Sequence, residues 1–432
     1  MRKSQLLILI SIVILLQNSV FALGFSYSGE INPSLKYQPS DGTLLELPFR
    51  ISNIDLNIYH GNFELQSKVA LETRWEDLDE TKIQLRELYI HWYPRFGEVK
   101  IGKIIHAWGY ADQNNPTDNL NPYNFYYLFD TGIERKIGSL SGSISVNLGN
   151  MNVEGIFIAE HNSNKLPYNE NDFPTELNEP QKDAMLELEN PYEYGIRLKH
   201  NIFDFDYSIS YFHCYDRLPT ILGGQWPILT IPPYNLGYRK NDMIGLDFIK
   251  FFGDFTIRTE SAYFFTTNQY NKSNFSSKFE QDVQYLQYVI QLEYNTPIDV
   301  KLTTQFMGNY IVLADGSGFD MNNMIYSTDL KNIFVPGVGV PFLSFMDRGI
   351  SFGANVFFFD DRLELETFTL FNIEQFDEYS GQMIALNSSY YFLQNFEVEL
   401  NYLWIVGNDD ENNFLTKMED FSHLSVGLKY NF

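Results

Sequence analysis

Residues 63–75 read FELQSKVALETRW, and their alternation returns along the whole chain. Phe63, Leu65, Val69 and Leu71 fall on one face, with Glu64, Gln66, Lys68, Glu72 and Arg74 on the other. YLQYVIQLEY sets Leu286, Tyr288, Ile290, Leu292 and Tyr294 against Gln287, Gln291 and Glu293. DRLELETFTLF sets Leu363 and Leu365 against Glu364 and Glu366. FEVELNYLWIV sets Phe396, Val398, Leu400, Tyr402 and Trp404 against Glu397, Glu399 and Asn401. A period of two is the signature of a strand with one greasy and one wet face. Soluble sandwiches alternate too, but their apolar faces seldom carry this many aromatics over so many strands. Here 37 Phe and 29 Tyr sit on alternating faces and near strand ends, the distribution expected for lipid contact and interfacial girdles.

The connections carry a second rhythm. Short turns fall at 60–62, 95–98, 149–150, 203–205, 253–254, 295–299, 360–361 and 393–395. Between them lie mostly longer stretches at about 38–44, 75–81, 109–131, 162–190, 216–240, 268–281, 313–347, 375–380 and 408–420. Short and long alternate without exception, the asymmetry of a membrane barrel with tight periplasmic turns and extended outer loops. The expected fold is therefore all-β: a transmembrane antiparallel up-and-down β-barrel of about eighteen strands, between 25–37 and 421–432. Sixteen is the lower count, because 42–60 reads either as one strand or as a loop plus a strand. An even count puts both termini on one side, and the ending HLSVGLKYNF, alternating to Phe432, suits a last strand that pairs with the first and leaves no edge.

The first 22 residues carry Arg2 and Lys3, an apolar stretch from Leu6 to Leu16, and a Val-Phe-Ala ending. That stretch is too short to span a bilayer as a helix and reads as a cleaved secretory signal. No later run is apolar enough for a membrane helix, and no linker or shift in composition divides 23–432, which reads as one barrel domain. Strands that begin within a few residues of the signal leave no room for the N-terminal plug of energy-coupled receptors. The single cysteine, Cys214, cannot form an intramolecular disulfide and suits a small buried hydrophobe. A net charge of −25 disfavours nucleic acid as a partner.

Two outer connections are unusually apolar, DRLPTILGGQWPILTIPPYNLGYRK at 216–240 and IFVPGVGVPFLSFM at 333–346, and each should bury itself over or inside the mouth. By contrast 169–190, rich in Glu and Asp, reads as a solvated loop. The densest polar constellation is KIGKIIHAWGYADQNNPTDNLNPYNFYYLFD at 100–130. A lysine facing lipid at the midplane costs about 2–4 kcal/mol, which puts Lys103 in the lumen and Gly102, Ile104 and Trp108 outward. Asx residues and prolines in the loop beyond this strand serve turns. The functional alternative is a third loop folded inward that narrows a channel and offers Lys103, Asp112, Asn114, Asn115, Asp118 and Asn121 to a solute.

The C-terminal ten residues resemble the signal that Gram-negative outer-membrane barrels present to the barrel-assembly machinery, which the resemblance implies as a partner through the strand ending at Phe432. Residues 100–130 resemble the porin-like barrels of the DUF1302 family and its relatives. The matching residues are Ile101-Gly102-Lys103, Trp108-Gly109, Asp112, Asn115-Pro116-Thr117-Asp118 and Asn121-Pro122, with Tyr215-Asp216-Arg217-Leu218-Pro219 further on. Ile104 stands where the family usually continues its basic pair with Gln. The resemblance implies an outer-membrane barrel in contact with lipid and lipopolysaccharide, with a transport role and no substrate named.

No nucleophile elbow, P-loop, dinucleotide fingerprint or His-Glu-x-x-His occurs, and the seven histidines are scattered singly, so no catalytic residue is assigned. Asp112–Asp118 lacks the glycine and distal Glu of a calcium loop, and neither metal nor cofactor is expected. The expected function is a channel for passive diffusion of small polar solutes. Its lumen would be lined by Glu64, Lys68, Glu72, Arg74, Arg258, Glu260, Glu293, Lys301, Glu364, Glu366, Glu397 and Glu399. Carboxylates predominate there and favour cations. A transporter of hydrophobic molecules, with the apolar loops as a greasy entrance, is the first alternative; a non-conducting adhesin or scaffold is the second. No isolated outer patch separates protein contact from lipid contact, so a homo-oligomer stays open.

Overall fold

The computed structural model describes residues 23–130, 132–174, 177–203, 205–224, 234–268, 277–320, 325–375, 378–408 and 413–432; the signal segment 1–22 lies outside them. Eighteen antiparallel strands close into a barrel. They are β1 (Gly24–Ile31 continued by Ser34–Tyr37), β2 (Phe49–His60), β3 (Phe63–Thr73), β4 (Lys82–Trp92), β5 (Gly97–Ile104) and β6 (Ser139–Leu148). Then come β7 (Met151–Ile158), β8 (Glu193–Asn201), β9 (Phe205–Tyr215), β10 (Lys240–Phe252), β11 (Phe255–Thr267) and β12 (Gln281–Asn295). The last six are β13 (Val300–Gly316), β14 (Arg348–Phe358), β15 (Leu363–Gln375), β16 (Glu378–Leu393), β17 (Phe396–Val406) and β18 (His423–Asn431).

Each strand pairs with its successor, and β18 returns to β1 through Glu30 opposite Asn431, Ile31 opposite Tyr430, and Ser34–Tyr37 opposite Leu424–Gly427. The seam breaks at Asn32-Pro33, since proline brings no N–H to the ladder. Phe432 closes it: its N–H and carbonyl each bond Gly29 at 3.0 Å. In hydrocarbon every backbone donor needs a partner, and closure supplies one at both edges. The segment at 42–60 resolves as a loop followed by β2.

Alternation sets the faces. In β12 the odd residues from Gln281 to Glu293 are buried, while Ile290 and Leu292 are exposed on the outside. Aromatics crowd the outer face near the tight turns, where Phe63 stacks on Trp92, Phe255 on Tyr294, and Tyr430 on Phe432. Rings at that level are the girdle of a membrane interface.

The interior of the loop end is filled. Trp108 and Leu120 from the 105–138 connection, with Phe334 and Val338 from 317–347, pack on Phe212, Cys214, Met243, Phe264 and Tyr285 of the wall. Val340, Leu343 and Met346, with Leu415, Met418 and Phe421 from 407–422, pack on Met307, Leu370, Met383, Leu403 and Ile405. A fully buried side chain of this size contributes about 1.5–3 kcal/mol. That burial explains why apolar loops turn into the barrel instead of standing in water. The acidic connection joins them: Phe173 is buried against Phe421, so 169–190 is only partly a solvated loop.

Candidate functional site: the inward loop and the lumen

The connection 105–138 leaves β5 and crosses the lumen. Gly109 takes φ +91°, and a Cβ there would overlap the Glu260 carboxylate, so only glycine lets the loop lie against β11. Glu260 then accepts the backbone N–H of Tyr110 at 2.5 Å and of Ala111 at 2.6 Å, the Thr117 hydroxyl at 2.9 Å, and the Asn115 amide at 3.1 Å. Four donors thus converge on one buried carboxyl group and fix the loop to this wall.

Next along the wall, Gln291 Oε1 accepts the Asp112 N–H while its amide donates to the Asp112 carboxylate, each at 2.9 Å. Asn114 donates to Gln305 at 3.0 Å. Arg258 donates to the Tyr110 carbonyl at 2.8 Å and to Glu293. The loop is thus pinned to β11, β12 and β13. Its far end reaches the opposite wall, where the Glu134 carboxylate accepts from Arg50 and Arg86 and the Tyr127 hydroxyl donates to Glu72 at 2.7 Å.

Of the six residues expected to meet a solute, only Asp112 has an open side chain, 49% exposed. Asn114 and Asn115 hold the loop to the wall, and Asp118 is buried with Lys136. Asn121 accepts the His106 N–H at 2.6 Å and donates to the Ile104 and Ile137 carbonyls. Lys103 requires a correction. It stands in register between Leu88 and Leu140, which are exposed on the outer face with Ile101, and Ile104 and Trp108 are the buried, inward residues. Lys103 sits near the loop end of β5, and its ammonium donates to the Leu85 carbonyl at 2.6 Å. A lysine near the rim snorkels and escapes the midplane cost.

The twelve residues expected along the lumen are held in polar contacts. Glu64 accepts from Tyr93, Lys68 lies 3.7 Å from Glu87, and Glu72 meets Lys165 at 3.5 Å. Arg74 pairs with Glu170, and Glu293 bridges Arg258 and Lys301, the latter at 3.0 Å. Glu364 accepts from Asn355 and Glu366 from Asn387, while Glu397 and Glu399 share Lys429.

Two polar cavities flank the inward loop. One of about 450 Å³ is lined by Asp112, Lys301, Gln305, Asn355 and Glu366. The other, about 360 Å³, is lined by Glu30, Asp55, Lys68, Arg86 and Glu134. A hollow of only about 10 Å³ lies among Asn119, Asn121, Asn164, Arg217 and Ser344. Gly339, at φ +108°, lets the 333–346 segment press on Gln287, whose oxygen accepts the Val340 N–H at 2.9 Å. Among the described residues no group of three or more His, Cys, Asp and Glu converges as a metal site.

Sequence reading missed the buried ion pairs that brace this end: Arg217 with Glu193 at 2.7 Å, Arg197 with Asp247 at 2.6 Å, and Arg239 with Asp216 at 2.5 Å. The one available signal was the Tyr215–Pro219 stretch, which holds Asp216 and Arg217.

No family model matches the chain and no curated protein matches it, so the likeness to DUF1302 barrels rests on the quoted motifs alone. Solved structures do match. OccK5 (OpdH) of Pseudomonas aeruginosa is 9% identical, over 94% of this chain and 98% of that one, with a TM-score of 0.52. OccK2 (OpdF) of the same organism is 9% identical over 95% and 97%, also with a TM-score of 0.52. OccK11 (OpdR) is 10% identical over 94% and 96%, again with 0.52. This chain shares the fold of these proteins: a closed antiparallel β-barrel.

Proposed function

We propose that the chain is a porin-like channel for passive diffusion of small polar solutes across the outer membrane, with a preference for cations. The observation that carries this reading is the inward loop, pinned by Glu260 to one wall and by Glu134 to the other, with a polar cavity on each side. The first cavity sets Asp112 and Glu366 against Lys301; the second sets Glu30, Asp55 and Glu134 against Lys68 and Arg86. Fixed carboxylates in excess, in a narrow low-dielectric passage, raise the local concentration of cations. The outer loops packed inside the mouth narrow the path and so set the conductance. Lipid and lipopolysaccharide outside, and the barrel-assembly machinery at β18, are the partners this reading implies; whether copies associate is part of the same proposal.

A second reading, transport of hydrophobic molecules, draws on the burial of Val338, Val340 and Leu343 inside the mouth. Planar-bilayer recording of the refolded mature chain separates the two. Steady current in KCl, with a reversal potential of cation sign under a gradient, supports the polar channel. A silent barrel refutes it and turns the search to apolar ligands under the loops.

A further inference from the structure

Between the tip of the inward loop and the wall of β13, β14 and β15 lies the cavity of about 450 Å³, within the range of about 300–1,000 Å³ that suits small organic molecules. Glycine makes its room. Gly353 stands between Ser351 and Asn355 on the inner face of β14, and a Cβ there would make only ordinary contacts, the nearest to the Thr367 carbonyl at 3.4 Å. On the loop side, a Cβ on Gly132 would find nothing within 4 Å. Neither position sends a side chain into the gap.

The charged groups on the lining are already engaged. Lys301 lies 3.0 Å from Glu293, Asp112 accepts the Gln291 amide and lies 3.9 Å from Arg258, and Glu366 accepts the Asn387 amide at 3.3 Å. The uncharged groups are not. The hydroxyls of Thr303 and Ser351 and the amide of Gln113 have no hydrogen-bond partner among the described residues. Ser351 carries most weight: it is only 2% exposed, its hydroxyl is not a sealed atom, and it lines the cavity, so the surface it keeps opens there. Gln113 turns the loop tip at φ +65°, uncommon for a residue with a side chain, and lines the same space.

Hydroxyls and amides both donate and accept, and so does every hydroxyl of a polyol. A polyol can therefore replace water on these groups bond for bond, which a solute of ether oxygens cannot. A carboxylate would meet Asp112 and Glu366, and an ammonium would have to compete with the groups those two already hold. We infer that this cavity is the channel's selective station for small uncharged polyols, with Thr303, Ser351 and Gln113 as its hydrogen-bonding set and Gly353 as the residue that leaves it room. The inference deepens the channel reading and rests on it.

The experiment is osmotic swelling of liposomes that carry the full mature chain, with xylitol, triethylene glycol, sodium glutarate and choline chloride as solutes. Xylitol should enter fastest. Ser351→Ala should lower the xylitol rate relative to triethylene glycol roughly fivefold, the worth of one neutral hydrogen bond. Gly353→Leu fills the gap and should slow both neutral solutes, with heat-modifiable migration to show that it still folds as a barrel. Triethylene glycol, glutarate or choline entering as fast as xylitol, an unchanged ratio in Ser351→Ala, or unchanged swelling in a folded Gly353→Leu would each overturn the inference. KCl conductance of the same preparation separates its failure from that of the channel reading. Current without a xylitol preference sinks the polyol station alone, whereas silence in both assays sinks the two together.

Discussion

Removing the Glu260 carboxylate should release the inward loop. In Glu260→Ala the N–H groups of Tyr110 and Ala111 and the hydroxyl of Thr117, a fully buried residue, lose their acceptor. Asn115 keeps a second bond, to the Ala111 carbonyl. Each orphaned buried donor costs about 1–3 kcal/mol, so three together cost about 3–9 kcal/mol. Water entering the vacated space relieves part of this, which makes the lower bound the working figure. About 3 kcal/mol moves the balance between pinned and released loop by roughly 150-fold. On this wall Asn114 on Gln305 and Gln291 on Asp112 are neutral or half-exposed and hold less, and Arg258 still donates to the Tyr110 carbonyl, so the release is of this stretch of the loop and not of its Glu134 end. Single-channel recording in a planar bilayer should show larger conductance and more open-channel noise. Glu260→Gln keeps one acceptor oxygen but turns an amide toward donors, so its channels should fall between. If Glu260→Ala folds to a heat-modifiable barrel and passes current with unchanged amplitude and noise, the loop does not govern the passage.

Phe432→Ala strips the seam of rings 6.3 Å from Tyr27 and 6.2 Å from Tyr430, and should lower the urea midpoint by the equivalent of about 1–3 kcal/mol; an unchanged midpoint would refute the seam's role. Lys103→Leu should leave the reversal potential where it is, because the side chain faces outward; a shift in selectivity would return Lys103 to the lumen. Glu170, in the 159–192 connection, is pushed up by burial but held below its usual value of 4.5 by the Arg74 guanidinium and the Tyr126 hydroxyl. A lowered folded-state value means that the tie is fully present above pH 4.5 and is lost as pH falls through that lower value. The protection of the loop amides relative to their intrinsic exchange rate at each pH should therefore hold at pH 5 and fall only in stronger acid, and loss of protection already above pH 4.5 would contradict the assignment.

The barrel was legible because its determinants are local. A two-residue period and a turn such as Gly253-Asp254 are each visible in a window of a few residues. The apolar character of 333–346 also showed that this segment had to be buried. What was not legible depends on distance along the chain. Glu260 reads as one more polar residue on an alternating strand, and its loop partners lie 143–150 residues away. Lys103 failed for another reason. β5 is short, its lysine sits at the rim, and a rule about the bilayer midplane was applied where the midplane does not reach.

Cys214 is the sole cysteine of the 432 residues and is fully buried on the inner wall, within the cluster that includes Trp108 and Phe334. The molecule consequently carries its own clock. A maleimide can reach that thiol only when the loops above it part, so the rate of mass gain of the intact chain counts openings of the mouth, with no engineered label and no electrode.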